Sequence, residues 1–252
     1  MKLVYDINLF IHAAAGLLSL VVLAIPLVAK KGGQLHRRAG WVFTIAMAVV
    51  ALTGLGLALA WALVPLQVKP LDADASAERI AAATRSLRAF GLFFATIGLM
   101  SGAAVWHGIS AIRINKAQTA RATFVIIDHL AWALLGLFGL ALLLLGLRVS
   151  MPLFSLFGAL ALFNAVSDAR FLLRPPNRKS AWLIRHLQAM LGGATVAITA
   201  FAVLVLRRYL DPSGGFQLAF WLVPVAFGTF GTIAWTRIWQ RRLGYGRPSA
   251  TT

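Results

Sequence analysis

KKGGQLHRRAG, residues 30–40, is a short basic stretch between two long apolar runs. IHAAAGLLSLVVLAIPLVA (11–29) precedes it and WVFTIAMAVVALTGLGLALAWALV (41–64) follows it. A span of the hydrocarbon core takes about 20 such residues, so both runs read as transmembrane helices and the basic stretch as their connection. Basic connections of the same kind recur at Arg113–Arg121 and Arg170–Arg185. They make the chain a series of helical hairpins.

Composition agrees along the whole length. Of the 252 residues 60% are hydrophobic and 12% charged, whereas a soluble domain is about half apolar and about a quarter charged. The apolar runs do not alternate in polarity as barrel strands do. The expected fold is therefore all-α, a polytopic seven-transmembrane-helix bundle forming a single integral membrane domain over residues 1–252. The expected segments are 7–29, 40–64, 86–112, 122–147, 151–173, 181–206 and 217–240. The first run lacks a small-residue cleavage site and is followed by strong positive charge, so it is expected to be kept as a helix. DADASAERIAAATR (72–85) is expected to form a short amphipathic helix at the surface, and Pro175-Pro176 to break the chain.

The net charge of +17 sits at the ends of apolar runs rather than in a recognition module. It implies contact with anionic lipid headgroups of the bilayer, and no nucleic acid. Lys30, Lys31, Arg37 and Arg38, then Arg113, Lys116 and Arg121, then Arg170, Arg174, Arg178, Lys179 and Arg185 fall on one side. Seven crossings put Arg237, Arg241, Arg242 and Arg247 on that side too. The acids Asp72, Asp74, Glu78 and Asp211 fall on the other. The positive-inside rule then gives an outside N-terminus and a cytoplasmic C-terminus.

With no cysteine, any metal or haem must be held by His, Met or carboxylate. Counting residues from the expected basic ends places His107, His129, His186 and Asp168 at one depth, roughly 7–10 Å inside the boundary. Asn164 lies one turn from Asp168, and Asp128 adjoins His129. Small neighbours at helical spacing (Ala103, Ala104, Ala133, Gly136, Ala161, Gly193) point these faces toward other helices. Ionisable groups at membrane depth are costly and mark a cavity, a partner or a ligand.

Three chemistries fit. His107, His129, His186 and Asp168 form a candidate zinc site with an open position. Two of the three histidines could instead hold haem b, with arginines on its propionates. The third is an interhelical hydrogen-bond network in which Asp168 pairs with Arg170 or Arg185.

His12 reads as structural and His36 as a headgroup contact. Trp41, Trp61, Trp182 and Trp221 read as interfacial anchors, and Trp106 and Trp132 as walls beside the histidines.

His12-x-x-x-Gly16 followed by KKGGQLHRRAG resembles a family of uncharacterised bacterial multi-pass membrane proteins, as do WLIRHLQAMLGGATVAITAFAVL (182–204) and WLVP (221–224). The HRRxG and WLxxHxxxM segments carry the resemblance. It implies a bacterial inner-membrane protein and brings no activity with it. The functional expectation is a histidine-lined polar site near the cytoplasmic side, in a haem- or metal-binding redox protein. The alternatives are a zinc-dependent intramembrane hydrolase using Asp128 or Asp168 as base, and a transporter or structural membrane protein without a cofactor.

Overall fold

The structure is a computed structural model that describes residues 2–115, 122–174, 180–210 and 215–244. Its helices are α1 (Lys2–Val28), α2 (Gln34–Leu63), α3 (Pro65–Val68), α4 (Ala77–Asn115), α5 (Ala122–Arg148), α6 (Pro152–Leu173), α7 (Ala181–Leu210) and α8 (Gly215–Arg242). Seven of them, all but the four-residue α3, are long and apolar enough to cross a membrane. The chain is an all-α polytopic bundle. Lys116 and Arg121, the stretch Pro175–Lys179, the turn at 211–214 and Arg247 lie outside the described residues.

α1, α2, α4 and α8 start earlier than the expected segments. His36-Arg37-Arg38 forms the first turns of α2 rather than a loop. Gly32, at φ +74°, makes the reversal before it in the left-handed region that glycine tolerates. Lys31 then closes the end of α1, donating from Nζ to the carbonyls of Pro26 (2.7 Å) and Leu27 (2.6 Å). These are last-turn carbonyls with no helical partner. Burial lowers the Lys31 ammonium from its ordinary pKa.

Residues 77–85 correct a second expectation. They are not a separate surface helix but the first turns of α4, whose 39 residues rise about 58 Å, well beyond the core of a bilayer. Arg88 on α4 donates to the Ala62 carbonyl at the end of α2, 3.1 Å away.

α4 is the hub, packing against α2, α5, α6 and α7. α5 and α6 lie closest together, because glycines face each other's backbones. A Cβ on Gly139 would lie 2.9 Å from the Ala161 Cβ, and one on Gly158 would strike the Leu143 backbone. At the end away from the basic clusters, Phe93 is fully buried. It stacks on Phe154 (centroids 5.4 Å apart) and meets Phe157 (5.3 Å) and Trp221 (5.1 Å) edge to face. Each such pair adds about 0.5–1.5 kcal/mol beyond area burial. Trp221, 8% exposed, is therefore a core residue and not an interfacial anchor. It pins the start of α8 to α4 and α6. Beyond it α8 packs chiefly on α7. Apolar side chains such as Phe227 and Phe230 remain exposed on its outer flank, as suits a lipid-facing surface.

Candidate functional site

Two buried polar clusters occupy the basic end. In the first, Asp168 of α6 is shared by two helices. Arg185 of α7 pairs with its Oδ1, and His107 of α4 places Nε2 at 3.3 Å from Oδ2. The His107 contact is out of line for a hydrogen bond, so Nε2 stays without a hydrogen-bond partner. Arg185 also donates to Ser167 Oγ at 3.3 Å, while its Nε is buried without an acceptor. Asp168 is 5% exposed and His107 3%. Charges so far from water persist only because they neutralise each other. Of the two expected arginine partners, the structure selects Arg185; Arg170 is exposed.

His186 closes the same region from α7. Its Nδ1–H donates to the Gly108 carbonyl of α4 at 2.9 Å, which fixes the tautomer and leaves Nε2 as the basic nitrogen. His36 of α2 lies within electrostatic reach of it. His36 itself bonds the Pro26 carbonyl at 3.1 Å, so it has a partner within the chain.

The second cluster ties α5 to α4. Asp128 Oδ1 accepts from Trp106 Nε1 (2.6 Å) and Ser110 Oγ (2.5 Å) and pairs with Arg113 at 3.2 Å. Arg113 also bonds Ser110 and lies over the Trp106 ring, 4.9 Å from its centroid. A carboxylate with three donors is held as a structural acceptor.

His129 stands apart from both clusters. Its Nδ1–H donates to the Val125 carbonyl of its own helix at 2.8 Å, on an exposed face, with Trp132 at 6.2 Å. Ala133, one turn on, is exposed as well. The structure thus brings His107 to Asp168, holds His186 on the Gly108 carbonyl next to His107 in sequence, and leaves His129 outside. Among the described residues no three His, Asp or Glu side chains form a metal-holding group. His12, at the other end, donates to Thr53 Oγ1 at 3.0 Å, since that hydroxyl gives its own proton to Val49.

A cavity of about 410 Å³ starts at Asp168 and Arg185 and runs along the bundle to Trp221. Its polar lining is Asn164, Ser167, Gln188, Thr195, Thr199, Thr229 and Thr232; Ile97, Phe157, Leu160 and Val225 are among its apolar walls. It lies between α6 and α8 and reaches the flank of the bundle, where the lining residues Phe163, Thr229 and Ile233 are exposed. Asn164 and Gln188 line it, and their amides make no hydrogen bond to the described residues. The threonines Thr195, Thr199 and Thr232 return their protons to carbonyls one turn back and offer only an oxygen.

The sequence reading singled out Asn164, Asp168 and Arg185 but missed the rest of this polar lining. The signal was the spacing 185, 188, 192, 195, 199 along α7, one polar or small residue per turn on the Arg185 face.

No family model matches the chain, and no curated protein or solved structure matches it either.

Proposed function

We propose that the protein binds a single-chain amphiphile dissolved in the bilayer, with its polar head beside Asp168 and Arg185 and its chain lying along the cleft between α6 and α8. The observation that carries this reading is the cavity itself: its charged and amide groups gather at one end, its walls beyond are apolar side chains and threonines most of whose hydroxyls bond their own helix, and it opens on the flank of the bundle. From Gln188 to Ala200, which both line the cavity, α7 rises about 18 Å, so the cavity is elongated along the helix as a chain-binding cleft is. Binding pockets that are mainly apolar with a few convergent polar groups are the usual form of small-molecule sites. The setting is a bacterial inner membrane, N-terminus outside and C-terminus in the cytoplasm. Lys30, Lys31, Arg37, Arg38, Arg113, Arg174, Arg241 and Arg242 then face anionic headgroups. In that orientation the head-binding end is the cytoplasmic one, and the class of activity is the transport or handling of a lipid-like solute.

The test fills the cleft. Thr199→Trp and Thr229→Trp place bulk in the chain-binding part without touching the charged cluster. Protein purified in nanodiscs is extracted and its tightly held lipids are measured by mass spectrometry. One enriched single-chain species, lost in both variants, is the expected result. A lipid profile equal to that of empty discs, unchanged by the variants, contradicts it.

A second reading, haem b or zinc held by His107 and His186, is favoured by one observation. The Gly108 carbonyl fixes His186 with Nε2 available as a ligand, while the His107 Nε2 has no hydrogen-bond partner. A Soret band that shifts on reduction, or stoichiometric zinc, carries that reading; a colourless, metal-free protein ends it.

A further inference from the structure

We infer that the head of the bound amphiphile is uncharged and bears a carbonyl, as in an ester, an amide or a quinone, and that the Asp168–Arg185 pair excludes charged heads. This rests on the amphiphile reading above and specifies its substrate class.

The argument starts from charge. Arg185 and Asp168 neutralise each other inside the bundle. A carboxylate or phosphate entering beside them would add an uncompensated negative charge at membrane depth, and an ammonium an uncompensated positive one. Either costs several kcal/mol after relaxation. No further charged side chain lines the cavity to offset it: its described lining holds Asp168 and Arg185 and otherwise amides, hydroxyls and apolar groups. The nearby charges of Asp128 and Arg113 form their own balanced cluster.

The hydrogen-bonding inventory then selects the head. Asn164 on α6 and Gln188 on α7 line the cavity within a turn of Asp168 and Arg185, and neither amide bonds to the described residues. Each presents an NH₂ donor and a carbonyl acceptor. Both residues are half-buried, and an amide that faces a cleft at membrane depth with no protein partner is matched by a ligand that accepts and, optionally, donates a neutral hydrogen bond. A carbonyl fits the donors. A plain alkane leaves them unsatisfied. Discrimination of this kind, by groups left unpaired when the wrong ligand binds, exceeds what an apolar pocket gives.

The experiment holds the chain constant and varies the head. Methyl dodecanoate, dodecanoate and dodecane are titrated into protein in nanodiscs at pH 8, and binding to empty discs is subtracted. The expected order is methyl dodecanoate at least tenfold tighter than either of the others. Asp168→Asn removes the negative partner, so Arg185 is left to receive an anion. Dodecanoate should then gain at least tenfold and overtake the ester. Gln188→Leu keeps the charges and should weaken the ester at least fivefold with little effect on dodecanoate, which covers the case in which Asp168→Asn does not fold. Dodecanoate binding as tightly as the ester in the unaltered protein overturns the uncharged head and leaves the amphiphile reading standing. Dodecane binding equal to the ester overturns the carbonyl requirement in the same way. Saturable binding of none of the three overturns both readings.

Discussion

Replacing Arg185 by Met tests whether Asp168 and Arg185 act as one buried unit. The substitution keeps an unbranched apolar side chain of similar length and removes the guanidinium. Asp168, 5% exposed, is then a carboxylate with His107 3.3 Å away and out of line. Breaking a buried ion pair from one side costs about 3–5 kcal/mol in soluble proteins. In a membrane the unfolded reference keeps some partners, which lowers polar coupling energies. We expect a loss of about 3 kcal/mol, at the lower end of that range. Asp168→Asn alone should cost a similar amount, since it strands the guanidinium. The double variant removes both charges and should cost about 1 kcal/mol, because replacing both members of a buried pair is close to neutral. The assay is reversible unfolding by sodium dodecyl sulfate in mixed micelles, followed by tryptophan fluorescence, with all four proteins in one cycle. A double-variant loss equal to the sum of the single losses, within about 0.5 kcal/mol, would refute the shared unit.

Gly158→Val should separate α5 from α6, because its Cβ meets the Leu143 backbone rather than a flexible side chain; a loss of about 3 kcal/mol, or failure to insert, is expected in the same assay. Asp128→Ala leaves Trp106, Ser110 and Arg113 without their common acceptor and should cost about 2–3 kcal/mol. His129→Ala, which removes only a bond to its own helix on an exposed face, should change stability by less than about 0.5 kcal/mol. A reporter fused after Thr252 should be active as green fluorescent protein and inactive as alkaline phosphatase; the reverse pattern rejects the assigned orientation.

The spans were legible because a hydrophobic run of membrane length has few other readings, and the structure forms a helix at every expected segment. The starts of α2 and α4 were not, since the polar turns His36-Arg37-Arg38 and residues 77–85 continue a helix into the interface at no cost in hydrophobicity. Depth along a helix can be counted, and it brought His107, His186 and Asp168 to one level. Depth does not give direction around the helix. His129 shares the level but faces outward, and Ala133, taken as an interhelical contact because it is small, is exposed with it. Trp221 was misplaced for a related reason. A tryptophan near a helix end marks an interface only when no aromatic core is close, and Phe93 and Phe157 from two other helices meet it. The cavity was invisible as a whole because it is made by the gap between α6 and α8, which no single segment encodes.

The most direct test of the central claim is photocrosslinking with a dodecyl chain that carries a methyl ester head and a diazirine at its far end, followed by peptide mapping. Labels concentrated on the cleft residues of α6, α7 and α8, among them Thr199, Val225 and Thr229, and competed away by unlabelled methyl dodecanoate, are the predicted result. Labels spread over the lipid-facing residues of every helix, such as Phe10 of α1 and Leu52 of α2, with no competition, would contradict a specific amphiphile site in the bundle.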